Sequence, residues 1–157
     1  MIADPTIRVQ ASDFDPAAEE ALLTKGRRDV GAVVSFTGLC RDEDGSLHAL
    51  ELEHYPGMAE EEIGRVAREA LSRWPLVGLT VIHRHGLIRP GERIVLVVAA
   101  ARHRGEAFAA AEFLMDYLKT RAPFWKKERR ADGLAGGWVE AKDADDAAAA
   151  RWETRER

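Results

Sequence analysis

The stretch that decides the fold is RIVLVVAAARHRGEAFAAAEFLMDYLKTR, which runs from Arg93 to Arg121. Its first part, Arg93–Ala101, is a continuous apolar run that predicts a strand. Its last part, Gly105–Arg121, carries apolar residues at helical spacing and is followed by Pro123, which predicts a third helix that stops there. Between them lies the cationic triplet Arg102-His103-Arg104. The centre of the chain is therefore a strand joined to a helix through a basic connection.

The remaining elements extend outward from this unit. The other predicted strands and helices, in chain order, are Thr6–Gln10, Asp13–Lys25 (helix), Gly31–Thr37, Ala49–Tyr55, Met58–Trp74 (helix), Leu79–His83, Trp138–Ala141 and Asp145–Trp152 (helix). The turn Asp42–Ser46 predicts a hairpin of its flanking strands, with Leu39-Cys40-Arg41 at the mouth. This order predicts an α+β fold with a mixed sheet, three main helices and an antiparallel hairpin region. We expect one domain over residues 1–157, with residues 143–157 as a peripheral C-terminal tail.

Composition narrows the class of protein. The 157 residues are 46% hydrophobic and 32% charged, which is ordinary for a soluble globular protein. The sequence has no apolar run long enough to cross a membrane and no secretory leader, so we expect a cytoplasmic protein. A single cysteine, Cys40, excludes an internal disulfide framework. The net charge of −4 argues against nucleic acid as a partner.

Positive charge is concentrated in residues 119–130. That segment holds six basic residues and one acidic residue, so it carries +5 and the rest of the chain carries −9. The basic residues are Lys119, Arg121, Lys126, Lys127, Arg129 and Arg130. A cationic patch on an acidic body suits a small anion or an acidic partner, although a solvated helix end has the same composition.

Two features could bind an anion. Arg102-His103-Arg104 precede a helix N-terminus, where the helix dipole disfavours cations unless an anion neutralises them. Lys119 shares a helix face with Met115, and Lys126 follows the rigid Pro-Phe-Trp stretch 123–125, so the two lysines could clamp an anion or exchange a proton. In both cases solvated side chains paired with surface acids remain the alternative.

Other reactive residues favour structural roles. Cys40 beside Arg41 could be a reactive thiol, but a lone cysteine is more often a packing residue. His83 and His85 would face the same way on one strand, as metal ligands do, yet no third ligand is evident. Glycine-rich nucleotide-binding loops are absent from the sequence. We therefore expect neither a metal site nor a cofactor.

The motifs together resemble one known family. The segments that carry the resemblance are Phe36-Thr37-Gly38 with Arg41, Leu52–Met58, Val81–Arg84, Arg89–Glu92, His103-Arg104, Met115–Glu128 and Trp138–Glu140. They occur in order over most of the chain and are similar to the large, catalytic subunit of molybdopterin synthase.

The resemblance implies an α/β-hammerhead fold and a homodimer of large subunits within a heterotetramer. It also implies a partner, a small ubiquitin-like sulfur carrier whose C-terminal Gly-Gly thiocarboxylate enters the large subunit. The implied reaction is a sulfurtransferase step of molybdenum-cofactor biosynthesis. It adds two dithiolene sulfurs to cyclic pyranopterin monophosphate and yields molybdopterin.

The resemblance also implies which residues form the site. Lys119 and Lys126 correspond to the catalytic lysines; we assign Lys119 mainly to the thiocarboxylate and Lys126 to the substrate anion. The implied substrate-binding residues are these two lysines with Leu39, Cys40, Arg41, His103, Arg104, Lys127 and Glu128. Leu39 replaces a residue that is often basic in the family, so one phosphate contact differs. The expectation is that both ends of the third helix and the lysine loop form a single cationic pocket.

Two other functions share some of these features. A non-catalytic module that docks a ubiquitin-like protein would use the basic segment only to hold an acidic tail; retention of the lysines together with His103 and Arg104 disfavours it. A phosphoesterase would bind phosphate at the same residues, but the sequence lacks the carboxylate-rich metal cluster expected of one.

Overall fold

The computed structural model describes residues 4–42, 45–130, 135–139 and 143–153. Its elements, in chain order, are β1 (Thr6–Gln10), α1 (Pro16–Thr24), β2 (Ala32–Leu39), β3 (Leu47–His54), α2 (Met58–Arg73), β4 (Leu76–Arg84), β5 (Gly86–Ile88), β6 (Arg93–Ala101), α3 (Arg104–Thr120), β7 (Phe124–Arg130), β8 (Ala135–Val139) and α4 (Asp143–Ala150). Residues 43–44 of the predicted turn, 140–141 of the predicted last strand and 154–157 of the predicted tail lie outside the described residues.

The first sheet forms the main core. Its strand order is β1-β4-β6-β2, with β1 parallel to β4 and the other pairs antiparallel. Alternate residues of β6 point to opposite faces, as a strand requires. Val95, Val97 and Ala99 meet α2 and α3, whereas Leu96 and Val98 pack with Phe14 on the other face. Burial on both faces explains why this strand is a continuous apolar run.

The second sheet carries the basic segment. Its strand order is β5-β3-β7-β8, and every pair is antiparallel. A small core of Cys40, Leu52 and Ile88 lies beneath it. The segment after α3, expected to be a loop, is strand β7, because the backbone of Phe124–Arg130 pairs with β3 along its length.

The α+β class, the mixed sheet and the three main helices are confirmed. The predicted hairpin between the second and third strands is wrong. β2 pairs with β6 in the first sheet and β3 pairs with β5 and β7 in the second, so the two strands belong to different sheets. β2 is an edge strand whose Val34 and Val33 pack against the two faces of the first sheet's core, whereas the polar alternation of β3 suits a sheet with one open face.

The C-terminal segment, predicted as a peripheral tail, packs against the main core. α4 packs on α3, and the ring of Trp152 is buried at 8% exposure. This ring meets Trp74 and Phe113 edge-on, with centroids 5.7 and 5.5 Å away. The described part of the tail therefore contributes to the main core. Among the described residues, no helix combines the length and apolar character needed to cross a membrane.

Candidate active site at the lysine end of the third helix

Lys119 and Lys126 come together because α3 ends directly before β7. Lys119 lies in the last turn of α3, and Lys126 is the third residue of β7, where it pairs with Leu52 of β3. Lys126 is partly buried, and this burial lowers the pKa of its ammonium below the ordinary value. The nearby charge of Lys119 lowers that pKa further, while Asp145 opposes both effects. The structure thus brings the two predicted catalytic lysines within electrostatic reach of each other.

A buried histidine lies beside the lysine pair. His83 of β4 is only 3% exposed, and its ring stacks on Phe124 with the centroids 3.9 Å apart and the planes 13° from parallel. Burial lowers the pKa of His83 to about 4, and the charges of Lys126 and Lys119 lower it in the same direction. The imidazole is therefore neutral at physiological pH.

Two further histidines extend this cluster toward solvent. The rings of His54 and His85 lie 4.3 Å apart, and His54 is 6.0 Å from Phe124. Burial and His54 lower the pKa of His85, with Glu60 opposing. His85 lies beyond the end of β4, so it does not share a strand with His83. No group of three potential ligands in the described ranges is arranged to hold a metal ion.

Sequence reasoning treated these histidines as structural and missed their position beside the lysines. The missing information is the pairing of β3 with β7, which aligns His54 with Phe124. The spacing of residues within one strand does not predict such a contact between strands.

The next two residues of β7 have different orientations. Side chains alternate along a strand, so Lys127 points to the face opposite Lys126, whereas Glu128 shares the face of Lys126. The backbone of Lys127 lies opposite that of Glu51 in the β3–β7 ladder. The Glu51 carboxylate accepts hydrogen bonds from the guanidinium of Arg129 at 2.8 and 2.5 Å. Lys127 therefore lies on the other face of β7 from Lys126, and its contact with substrate stays a prediction.

The segment Leu39-Cys40-Arg41 lies at the lysine end of the first sheet. Leu39 pairs with Arg93, and His83 pairs with Val95 two residues farther along the same strand. Leu39 is 56% exposed and Arg41 is also exposed, so both side chains are accessible to a ligand.

Cys40 is not accessible. It is 3% exposed, and its thiol lies 3.7 Å from the carbonyl oxygen of Ile88. Its backbone amide donates to Glu92 and its carbonyl accepts from Gly91, at 2.8 and 2.7 Å. Burial also raises the pKa of the thiol. Cys40 is a packing residue, and its inclusion among the substrate contacts is corrected accordingly.

His103 and Arg104 lie far from the lysines of the same chain. His103 is the N-cap of α3, and its side chain makes no capping hydrogen bond within the described part of the chain. The helix has 17 residues, which places its two ends about 25 Å apart. The two ends of α3 therefore do not share a pocket within one chain, and the predicted single pocket requires a contact between subunits. Both residues instead line a shallow depression beside Gly31 and Ala32, at the end of the first sheet opposite to the lysines.

Comparisons with known proteins agree with one another. The family model described as "MoaE protein" matches residues 9–121. The molybdopterin synthase catalytic subunit of Mesorhizobium japonicum is 74% identical over 150 residues, covering 96% of this chain and 94% of that protein. The solved molybdopterin biosynthesis MoaE protein of Burkholderia ambifaria is 49% identical with a TM-score of 0.80, covering 95% and 98% of the two chains. The crystal structure of molybdopterin synthase from Staphylococcus aureus is 28% identical with a TM-score of 0.75, covering 84% and 95%. The chain therefore belongs to the MoaE family, the catalytic subunits of molybdopterin synthase, an enzyme of molybdenum-cofactor biosynthesis.

Proposed function

We propose that this chain converts cyclic pyranopterin monophosphate to molybdopterin by catalysing the transfer of two sulfur atoms to it from a small ubiquitin-like carrier. The observation that carries the proposal is the lysine pair, in which the exposed Lys119 lies near the partly buried Lys126 and the pKa of Lys126 is held below its ordinary value. A thiocarboxylate and a phosphate are both anions, and concentrated positive charge lowers the cost of bringing them together in a partly desolvated site.

The lysines have separate roles in this scheme. The carrier sulfur attacks a carbon of the pterin side chain and displaces an oxygen, which leaves the carrier joined to the substrate as a thioester. Water then cleaves the thioester, so the sulfur stays on the pterin and the carrier ends as a carboxylate. Lys119 holds the thiocarboxylate, and Lys126 binds the substrate anion and supplies the proton that the leaving oxygen requires. A second carrier repeats the sequence.

His103 and Arg104 enter the site from a second chain. A 17-residue helix separates them from the lysines of their own chain, whereas the homodimer implied by the family resemblance offers another copy of each. In this arrangement Arg41 and Leu39 come from the chain that supplies the lysines, with Glu128 on the same face as Lys126. The active unit is then a homodimer of this chain with one carrier at each end, a heterotetramer that works in the cytoplasm without nucleic acid or membrane.

The reaction is tested in a mixture of purified chain, thiocarboxylated carrier and cyclic pyranopterin monophosphate, with dithiolene product as the readout. We expect Lys119→Ala and Lys126→Ala each to reduce turnover on the order of a hundredfold or more, since each removes a charge that faces a reacting anion. Lys25→Ala, at the exposed C-cap of α1, is the matched control and should turn over like the wild type.

Two results would contradict the proposal. Wild-type turnover by Lys119→Ala with saturating carrier and precursor would remove the assigned site. A wild-type chain that binds the carrier but yields no dithiolene product would indicate the docking module instead of the enzyme.

A further inference from the structure

Two contacts hold the ring of His83. One face stacks on Phe124, with the centroids 3.9 Å apart. Nδ1 lies 2.8 Å from the carbonyl oxygen of Arg84, and because a carbonyl accepts only, Nδ1 carries the proton and the neutral ring has a defined tautomer. The guanidinium of Arg84 is itself tied by hydrogen bonds of 3.0 Å to the carbonyl oxygens of Ala11 and Arg93. His83 is therefore a rigid platform within the central sheet.

Phe124 connects the His83 ring to Lys126, because both Phe124 and Lys126 belong to β7. It is the first residue of β7 and lies two residues before Lys126, so both side chains are on the same face of the strand. Its backbone pairs with His54, whose ring lies 6.0 Å from the Phe124 ring on the side toward His85. The ring of Phe124 thus contacts histidines of β4 and β3 at the residue where β7 begins.

We propose that His83 is a positioning residue for Lys126: its flat, uncharged ring holds Phe124, and through β7 it holds the Lys126 ammonium in its partly buried place beside Lys119. The catalytic meaning of this role rests on the proposed function, because only there does the position of Lys126 matter for turnover. The placement of Lys126 itself is a property of the fold and is measurable without any substrate.

The surrounding charges favour an uncharged ring at this position. The groups that face it are Lys119 from α3, Lys126 from β7 and His54 from β3. Asp145 of α4 reaches Lys126, and Glu60 of α2 reaches the neighbouring His85. A third cation near the two lysines would repel both ammonium groups, most strongly that of the partly buried Lys126. Burial holds the pKa of His83 at about 4, so the platform stays neutral while the lysines carry the charge.

Two substitutions separate the platform from simple filling of the core. His83→Phe keeps a flat ring against Phe124, whereas His83→Leu fills the space without a planar face. The readout is the pKa of Lys126, followed by NMR on protein with isotope-labelled lysine and assigned with Lys126→Arg. We expect His83→Phe to keep the wild-type pKa of Lys126. His83→Leu should raise this pKa toward the ordinary lysine value, because Lys126 then moves toward water.

Activity gives the second readout. We expect His83→Leu to reduce kcat on the order of tenfold to a hundredfold with a smaller change in KM, and His83→Phe to stay near wild type. Phe124→Leu removes the stack from the other side and should reproduce the His83→Leu result, so it carries the test if His83→Leu does not fold.

Each outcome decides the matter. A wild-type Lys126 pKa and kcat in folded His83→Leu and Phe124→Leu would overturn the proposal, even if both variants unfold more easily. Equal loss in His83→Phe and His83→Leu would also overturn it, since the imidazole and not the platform would then be required. If Lys126→Ala were fully active, the proposed function would fail. The Lys126 pKa measured by NMR in the His83 and Phe124 variants would still test whether His83 positions Lys126.

Discussion

The buried His83 makes the stability of this fold depend on pH, and His83→Phe tests that dependence. Burial lowers the pKa of His83 from 6.5 to about 4 in the folded chain, and the charges of the two lysines add to the effect. In the unfolded chain the imidazole is solvated and titrates at its ordinary value. At pH values between these two pKa values, His83 is protonated in the unfolded chain and neutral in the folded chain. The free energy of unfolding must therefore fall as the pH is lowered through this window.

The size of the effect follows from the shift. A depression from 6.5 to about 4 corresponds to a total of about 3 kcal/mol at 1.36 kcal/mol per unit. Most of the loss occurs above the folded pKa, so lowering the pH from about 7 to about 5 should cost the wild type about 2 kcal/mol through this residue alone. His83→Phe has no group to protonate, so this part of its pH dependence disappears.

Urea unfolding followed by tryptophan fluorescence measures the effect at a series of pH values. The protein concentration is held constant, because the stability of an oligomer depends on it. The quantity of interest is the unfolding free energy of His83→Phe minus that of the wild type, in which contributions from other titrating groups cancel. We expect this difference to move by about 2 kcal/mol in favour of the variant from pH 7 to pH 5. Parallel curves for the two proteins would refute the assignment of a buried neutral imidazole.

Three further outcomes follow from the same structure. Lys119→Ala should raise the pKa of Lys126 toward its ordinary value, since the charge of Lys119 helps to lower it; lysine NMR measures the shift, and an unchanged pKa would contradict the pairing. Trp152→Ala should lower the free energy of unfolding by about 3 kcal/mol, because it leaves a cavity among aromatic rings; a urea midpoint within error of wild type would show that the C-terminal segment does not pack as described. The hydroxyl of Tyr117 is buried without a hydrogen-bond partner among the described residues. Tyr117→Phe should therefore leave the free energy of unfolding unchanged or raise it by up to about 1 kcal/mol. A clearly lower midpoint of thermal unfolding in this variant would reveal a partner for the hydroxyl.

The strand-helix unit at the centre of the chain was predictable because its signals are local. The strand Arg93–Ala101 was predicted with its observed bounds, and the predicted helix Gly105–Arg121 differs from α3 by one residue at each end. Both elements are buried on the faces that their apolar residues define, so local pattern and tertiary burial agree.

The second sheet was harder to predict because its pairing is not local. Phe124–Arg130 is rich in charge and has weak strand propensity, and it becomes strand β7 only because β3 provides a backbone partner. The same pairing aligns His54 with Phe124, and no spacing within one segment predicts that contact. The wrong hairpin between β2 and β3 has the same origin, since strands close in sequence were assumed to pair.

The site was predictable as a set of residue types and only partly as an arrangement. Lys119 and Lys126 do lie within electrostatic reach of each other, an arrangement that the flanking sequence allowed beside a solvated surface and that the family resemblance implied. The length of α3 was already evident in the sequence, and it separates His103 and Arg104 from the lysines by about 25 Å. A pocket containing all four within one chain was therefore incompatible with the predicted helix. His103 and Arg104 can belong to the site only if a second copy of this chain brings them to the lysines.

A mixed dimer tests this dependence most directly. Chains carrying Lys126→Ala and chains carrying Arg104→Ala are expressed together with different tags, and only the mixed dimer is purified. One of its two sites then contains both substitutions and the other contains neither. We predict that each variant alone is nearly inactive and that the mixed dimer recovers about half of the wild-type dithiolene formation per dimer. A mixed dimer as inactive as its parents, or a fully active Arg104→Ala homodimer, would contradict a site built from two chains.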